Sequence, residues 1–361
     1  MFRDQPAQIL ALLRSRRLAD EKMLNIGGRP VIASNSNSPT SNSHREETHR
    51  SDTIKLVLAF AAIYLVWGST YLAIRYAVET IPPLVTAAVR HTIAGSVMLV
   101  WAYARGYRAK REHWIAGSVL GALFFLVGHG TLHWAEQHVA SGLAALLIAT
   151  EPMFILVLAW ASGQQRISRL SALGLAAGVV GVAILTGVEV SSKDASLVGL
   201  LAVLAGSLSW SAGVVISPKL KLPTDALART AVPLICGAAM LMMASALTGE
   251  FREVHWSAIS MKSIFGLGYL ITFGSIVAFT AYTWLLQRCP PALVATHTYA
   301  NPVVAVLLGW LLASEPLTAR VALASVAILG AIVLIRRGER VNEQRAARPS
   351  AAKAESFEQC A

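Results

Sequence analysis

Charged residues are scarce in this chain. They make up 14% of its 361 residues, while 55% are hydrophobic, whereas about a quarter of a soluble domain is charged. This shortage argues against a soluble domain and predicts an all-α integral membrane protein that has the lipid bilayer as its surroundings. The apolar runs are continuous, which argues against a β-barrel, whose strands alternate apolar and polar residues.

Cysteine is also rare. Cys236, Cys289 and Cys360 show no metal-ligand spacing, so we predict neither a disulfide framework nor a zinc site. There is no P-loop and no sizeable soluble domain, so we do not expect ATP to drive the protein directly. We expect no cofactor. The net charge of +11 lies mainly in the tails and short loops, without the basic stripe and interleaved aromatics of a nucleic-acid-binding surface, so we expect no nucleic-acid partner.

Both ends of the chain are polar. Residues 1–53 include the stretch SNSNSPTSNS, which has too few apolar residues to offset its ordering entropy, and no signal peptide precedes the first apolar run. We predict a disordered cytoplasmic N-terminal tail, with Met23 as an alternative start to Met1, and a cytoplasmic C-terminal tail at 337–361.

Ten apolar runs are long enough to cross a bilayer, whose core of about 30 Å needs roughly 20 helical residues. They cover 54–77, 84–104, 114–136, 142–162, 169–188, 197–217, 229–248, 263–287, 292–313 and 319–336. With a cytoplasmic N-terminus, the inner loops hold ten Lys and Arg residues against four in the outer loops. The positive-inside rule therefore places both termini in the cytoplasm.

The chain matches itself when it is shifted by 150 positions. At this offset Trp134, Gln137, Leu143, Pro152 and Trp160 meet Trp284, Gln287, Leu293, Pro302 and Trp310. Trp67 meets Trp210 and Gly95 meets Gly237 at slightly shorter offsets. The repeating unit contains five helices, and an odd number of crossings turns the second copy upside down. We predict two inverted five-helix repeats, at 54–188 and 197–336, with a substrate site near the midplane between them.

Two matched positions combine a polar side chain with a proline. Glu151 precedes Pro152 in LLIATEPMF, and Asn301 precedes Pro302 in HTYANPVVA. Proline removes an intrahelical hydrogen bond, so we predict a kink at each site, where protein or cavity water must satisfy the backbone. A carboxylate at the midplane should face the bundle interior. Glu151 is therefore the foremost candidate for a substrate or proton site, and Asn301 either shares this role or bonds a neighbouring helix.

Three stretches resemble the EamA-type transporters of the drug/metabolite transporter superfamily: VWGSTYLAIRYAVETIPPLVTAAVRHTIAG, HWAEQHVASGLAALLIATEP and YANPVVAVLLGWLLASEPLT. The resemblance covers about residues 54–336. It implies ten helices in two inverted repeats, a bacterial inner-membrane location, and movement of small metabolites, often by export.

Individual residues carry the resemblance further. Trp67 stands in the WGST stretch, Arg75 and Arg90 stand where the family has basic residues, and Glu315 matches an acid that follows the ninth helix. The chain departs from the family pattern at Gln165, which replaces the first-half acid. It departs again at Glu151, where the family often has an apolar residue.

The remaining candidates have alternative structural roles. Arg75 and Arg90 are suited to an anionic group, because arginine stays charged and offers a fork of donors. Alternatively, they pair with acids or extend to the outer membrane surface. Trp67 and Tyr71 fit an amphipathic pocket or simple packing, together with Trp210, Tyr282 and Tyr299. His297, one turn before Asn301, is expected to line the same cavity, whereas His91 is expected to serve packing.

A second cluster raises an alternative function. His129 and His133 share a helical face at i, i+4 spacing, and Glu136 follows on the same helix. We favour histidines that line a polar cavity or bond to neighbouring helices. The alternative is that they form, with Glu136, the metal site of an intramembrane enzyme. A non-transporting membrane sensor is a further alternative, although no effector domain is present.

We therefore predict a secondary transporter, not an enzyme, that moves small organic metabolites or drugs by alternating access, with protons as a candidate coupling ion. Substrate, direction and oligomeric state, including a homodimer, stay open from sequence alone.

Overall fold

The computed structural model describes residues 53–189, 197–289, 291–294 and 296–358, with the side chains of 185–189, 291–292 and 343–358 left undescribed. The predicted N-terminal tail, both candidate start residues and Cys360 lie outside this part. The described residues contain helices and no β-strand. The long helices are α1 Thr53–Ala77, α2 Pro83–Ala104, α3 Arg111–Ala135, α4 Ser141–Ala161, α5 Arg169–Glu189, α6 Leu197–Lys219, α7 Ala226–Thr248, α8 Met261–Leu286, α9 His297–Ala313 and α10 Ala319–Glu358.

Eight helices in the described part are long and apolar enough to cross a membrane. Two further apolar stretches, Arg169–Ile184 in α5 and His297–Ala313, are shorter. Large apolar side chains also stand on the outside of the bundle, among them Leu247 at 81% exposed and Val326 at 70%. Such a surface would be unstable in water, so the prediction of a helical membrane protein is confirmed.

Most helix bounds lie within three residues of the predicted ones. Two bounds differ more, the start of α9 and the end of α10. A short helix, Pro291–Val294, precedes α9, which begins at His297. Helix α10 continues to Glu358, well past the predicted limit at residue 336. Its extension is rich in Ala, Glu and Arg, which favour helix even when they are not apolar.

The helices pack in matched pairs. Helix α1 packs on α8 and α9, and α6 packs on α3 and α4; α2 packs on α7, and α5 packs on α10. These contacts are symmetric between the two halves. When each helix is replaced by its counterpart five places along the chain, the contacts of α1 become those of α6, and the α2–α7 and α5–α10 pairs map onto themselves. Elements from the first and second halves of the chain therefore share one interior.

Helices α2, α3 and α7 meet at glycines. A Cβ atom added to Gly121 would lie 2.6 Å from the Gly237 nitrogen, and one added to Gly237 would lie 2.5 Å from the Phe125 Cβ. Only glycine permits this approach of α3 to α7. The contact holds the two helices close beside the buried side chains of α2.

Helix α4 is interrupted in its middle. Its first segment ends at Ile148, Ala149 and Thr150 form a turn, and the second segment begins at Glu151. Pro152 has no N–H to donate to the Ile148 carbonyl one turn earlier. Within the turn, the Thr150 hydroxyl donates to the Leu147 carbonyl at 2.6 Å. The backbone is thus loosened directly before Pro152. Helix α9, in contrast, is continuous through Pro302.

Three helices contain wider turns of π-helix, at Ala62–Val66 in α1, Gly121–His129 in α3 and Leu270–Val277 in α8. Such turns loosen the regular hydrogen-bond ladder and often occur at functional sites. The segments in α3 and α8 stand at nearly matched positions of the two halves.

Candidate functional site

A cavity of about 330 Å³ lies inside the bundle. Its walls come from α1, α2, α3, α4, α6, α8, α9 and α10. Nine of the predicted residues line it: Trp67, Tyr71, Arg90, His129, Glu151, Pro152, His297, Asn301 and Pro302. His133 and Arg75 do not line it. The structure therefore brings most of the predicted residues to one place, while their roles in transport stay predictions.

Glu151 stands at the interruption of α4 and is half-buried against the cavity. Its main-chain carbonyl accepts a hydrogen bond from the Ser211 hydroxyl of α6 at 3.2 Å. The turn thus places the carboxylate at the start of a new helical segment, where the first-turn N–H groups favour negative charge. It faces the interior and not lipid, as expected for an acid at this depth.

Asn301 ties α9 to α1. With its amide nitrogen facing them, it donates to the carbonyls of His297 at 3.0 Å, Ile63 at 3.2 Å and Tyr64 at 3.2 Å. Ile63 and Tyr64 belong to the π-helical turn of α1. Asn301 therefore both bonds a neighbouring helix and lines the cavity, which joins the two roles considered from the sequence.

Two tryptophans at matched positions form aromatic walls. The Trp67 ring lies 4.9 Å from the His297 ring, and its Nε1 donates to the Gly274 carbonyl of α8 at 3.1 Å. The Trp210 ring stacks on His129, with centroids 5.4 Å apart and planes inclined by 10°. The hydrogen bond and ring contacts fix both indoles, so the cavity has rigid apolar surfaces.

Arg90 is buried at the cavity wall and is 3% exposed. Its Nε donates to the Ser275 hydroxyl at 3.1 Å, while its Nη1 has no hydrogen-bond partner within the described residues. The unpartnered nitrogen leaves a donor for an anionic ligand or an ordered water.

Three histidines pack beside Arg90. The His91 Nε2 and His129 Nδ1 atoms are 2.9 Å apart, so one of these nitrogens donates to the other. The His133 Nδ1 donates to the His129 carbonyl at 2.7 Å. The expectation that His91 serves packing alone was incomplete, because its ring is also the hydrogen-bond partner of His129. The sequence placed His91 in α2 but did not indicate which helix its ring faces.

The histidines do not form a metal centre with Glu136. Within the described residues, no three His, Cys, Asp or Glu side chains are placed to hold a metal ion. The i, i+4 spacing puts His129 and His133 on one face, yet one ring bonds His91 and the other bonds a main-chain carbonyl. This geometry gives no support to the alternative hypothesis of a metal-dependent enzyme.

Arg75 lies outside the cavity and pairs with an acid. Its Nη1 is 3.3 Å from the Glu315 Oε1, and Glu315 is 8% exposed. Sequence reasoning allowed this pairing as an alternative but named no partner. Gln165, the residue matched to Glu315 in the first half, donates to the Glu339 Oε1 at 3.3 Å instead.

Comparison with known proteins gives one family. The model of the EamA-like transporter family matches residues 54–187 and again residues 197–337. The Escherichia coli (strain K12) protein named "Uncharacterized inner membrane transporter YedA" is 36% identical over 284 residues, which are 78% of this chain and 90% of that protein. "Uncharacterized transporter YoaV" of Bacillus subtilis (strain 168) is 27% identical over 285 residues, covering 78% and 94% of the two chains.

Two further likenesses are more distant. "Protein PecM" of Dickeya dadantii (strain 3937) is 24% identical over 274 residues, covering 75% of this chain and 89% of that protein. A solved structure titled "Crystal structure of protein" superposes with a TM-score of 0.54 and 21% sequence identity, covering 80% of this chain and 99% of that chain. At this identity, the superposition concerns the fold alone.

Proposed function

Because the chain belongs to the EamA-like transporter family and is a membrane transporter by that membership, we propose that it moves small organic solutes across the bacterial inner membrane by alternating access. The resemblance found in the sequence is thus confirmed at the level of the family. Substrate, mechanism and coupling are the parts that we propose.

The cavity carries the proposal. It lies between elements of both halves and is bounded by Glu151 and Asn301, which occupy matched positions in the sequence. Its volume of about 330 Å³ is at the lower end of the roughly 300–1,000 Å³ of small-molecule sites. A cavity at the interface of two halves is the arrangement of secondary transporters that alternate around a fixed site.

We also propose that the chain crosses the membrane ten times, in two inverted five-helix repeats. The matched packing pairs and the nearly matched π-helical segments of α3 and α8 support this architecture. In it the short helices α5 and α9 also cross the membrane, and both tails are cytoplasmic.

The two ends of the cavity differ. At the end where α1 meets α2, Glu315 ties Arg75 of α1 to the first residues of α4. At the other end, the cavity reaches Arg336 near the end of the apolar part of α10. We propose that the first end is the closed outer gate and that solutes enter from the Arg336 end, which is cytoplasmic in the predicted orientation.

The lining indicates a class of solute. Trp67, Trp210 and Phe279 provide apolar surface, while Arg90 and Glu151 place opposite charges on the walls. We propose a small solute that has an apolar or aromatic part and at least one charged group. Its binding would combine burial of the apolar part with one charge-assisted contact.

The test compares metabolites inside and outside cells that overproduce wild type, Glu151→Gln or Glu79→Gln, at several external pH values. Glu79 is an exposed acid that pairs with Lys262, so its variant controls for loss of a carboxylate. We expect a compound that wild type and Glu79→Gln cells deplete inside and enrich outside, and that Glu151→Gln cells retain.

Two results would count against the proposal. Equal export by wild type and Glu151→Gln at every pH removes the proposed role of Glu151. If no compound separates wild-type cells from cells carrying the empty vector, the proposal of metabolite export is wrong.

A further inference from the structure

Unpartnered polar atoms are concentrated beside the cavity. Seven buried side-chain atoms within the described residues lack a hydrogen-bond partner. Five of them belong to four residues of α2 and α3: Arg90 Nη1, His91 Nδ1, His133 Nε2 and both carboxylate oxygens of Glu136. Buried polar groups are nearly always hydrogen-bonded, and exceptions call for a functional cause or for an unseen water or ion. Their grouping indicates a site and not scattered packing faults.

Glu136 is the acid of this group and is 2% exposed. The charged side chains that act on it electrostatically are Arg75 from α1, Arg90 from α2 and Glu315 from the segment after α9. Helix α6 packs on this part of α3, and its residues 197–216 include no titratable side chain. An ionised Glu136 balances the second arginine, whereas a protonated Glu136 leaves one positive charge in excess.

A different effect therefore disfavours each charge state of Glu136. Ionisation places a negative charge on a side chain that is 2% exposed, which is unfavourable. Protonation removes one of the two negative charges that stand near Arg75 and Arg90 in this group. Such a balance is the condition under which a buried carboxyl group can exchange its proton when the surroundings change.

The Tyr71 side chain provides a connection to the cavity. It lines the cavity, and both Glu151 and Glu136 act on it electrostatically. Tyr71 is therefore a cavity-lining residue that both carboxyl groups influence. The histidines are poorer candidates, because His91 and His129 bond each other and the His133 Nδ1 donates to the His129 carbonyl.

We propose that Glu136 is a proton-binding site of this transporter, separate from Glu151 in the cavity. A proton from cavity water adds to one Glu136 carboxylate oxygen to form an O–H group, and it returns to water when Glu136 ionises, so no oxidant or reductant takes part. The inference rests on the proposed function only where it connects this proton to transport.

The proposal is tested on the full-length protein in lipid nanodiscs by infrared difference spectroscopy during stepwise acidification. The probe is the proton alone, read from the C=O band of protonated carboxyl groups. Wild type is compared with Glu136→Gln, Glu151→Gln and Glu79→Gln. We expect one buried-carboxyl component to be lost in Glu136→Gln and kept in the other two variants. A spectrum of folded Glu136→Gln that equals that of wild type overturns the proposal.

A second variant guards against misfolding. Glu136→Asp keeps a carboxyl group on a shorter side chain, and we expect its component to be shifted but present. If Glu136→Gln does not fold, a Glu136→Asp spectrum with the component unmoved contradicts the proposal, and a shifted component supports it.

Export then separates this inference from the proposed function. In cells that export an identified compound, we expect Glu136→Gln to lose the dependence of export on external pH, whereas Glu151→Gln loses export itself. If wild-type cells export no compound, the proposed function fails while the infrared result still decides whether Glu136 binds a proton. If export by Glu136→Gln keeps the pH dependence of wild type, Glu136 is not the coupling site.

Discussion

Glu315 caps the helix that begins at Ser141, although the two residues are 174 positions apart. The Glu315 Oε1 accepts hydrogen bonds from the Ser141 main-chain N–H and from its hydroxyl, each at 2.8 Å, and Oε2 accepts one from the Gly142 N–H at 3.0 Å. The first N–H groups of a helix have no partner within it and carry a partial positive charge. One carboxylate therefore satisfies the start of α4 and pairs with Arg75 at the same time.

The first prediction concerns the stability that this cap provides. Glu315→Ala should lower the free energy of unfolding by about 2 kcal/mol or more, because hydrogen bonds to charged groups contribute roughly 1.5–3 kcal/mol. Glu315→Gln keeps one acceptor oxygen, so its free energy of unfolding should lie between those of wild type and Glu315→Ala. Thermal unfolding of the purified protein in detergent measures the difference.

Glu79→Ala is the matched control for Glu315. Glu79 lies 2.6 Å from the Lys262 Nζ, yet the two side chains are 39% and 49% exposed. An exposed pair contributes only about 0–1 kcal/mol, so this variant should unfold close to wild type. Equal losses in Glu79→Ala and Glu315→Ala would show that the cap has no special weight.

The second prediction concerns the contact of α3 with α7. Gly237→Ala would place a Cβ atom 2.5 Å from the Phe125 Cβ and 2.9 Å from the Gly121 carbonyl oxygen. Overpacking of this kind costs about 1–3 kcal/mol, so the unfolding temperature should fall. Gly268→Ala in α8 has nothing within 4 Å and should be neutral, or stabilising by up to about 1 kcal/mol. An unchanged Gly237→Ala would mean that the two helices separate at no cost.

The sequence predicted where a residue lies along its helix better than which side chains of other helices it contacts. Long apolar runs and the offset repeat located Glu151 and Asn301, because both signals depend on position along the chain alone. The partner of Arg75 was not predicted, since it is set by which end of α9 meets α1. Glu136 was considered only as a metal ligand, because spacing within one helix hides the arginines that face it from other helices.

The third prediction concerns pH and the loop between α7 and α8. The Glu250 Oε2 accepts hydrogen bonds from the Leu84 N–H at 2.8 Å and the Val85 N–H at 3.3 Å. Burial raises the pKa of the Glu250 carboxyl above its usual value, although these two hydrogen bonds act in the opposite direction. A raised acid pKa means that the folded state binds the proton more tightly than the unfolded state.

The resulting stabilisation is present below the usual glutamate pKa and is lost as the pH rises through the raised value. Relative to Glu250→Gln, wild type should therefore gain unfolding temperature as the pH is lowered through this window. Thermal unfolding of both proteins at stepped pH values measures this difference. A relative gain on raising the pH would show that the two N–H donors, and not burial, dominate at Glu250.

The last prediction tests the number of crossings. Lys110 lies between α2 and α3, and Lys262 begins α8, so five helices separate them, including the short α5. If each of the five crosses the membrane, the two positions lie on opposite faces. We expect a membrane-impermeant thiol reagent to label Lys262→Cys in intact cells and Lys110→Cys only after permeabilisation, in a background without the native cysteines. Labelling of both positions from one face would mean that one helix does not cross, and α5, with its shorter apolar stretch, would be the first to re-examine. Labelling with the faces exchanged would keep the five crossings but reverse the orientation drawn from the Lys and Arg counts.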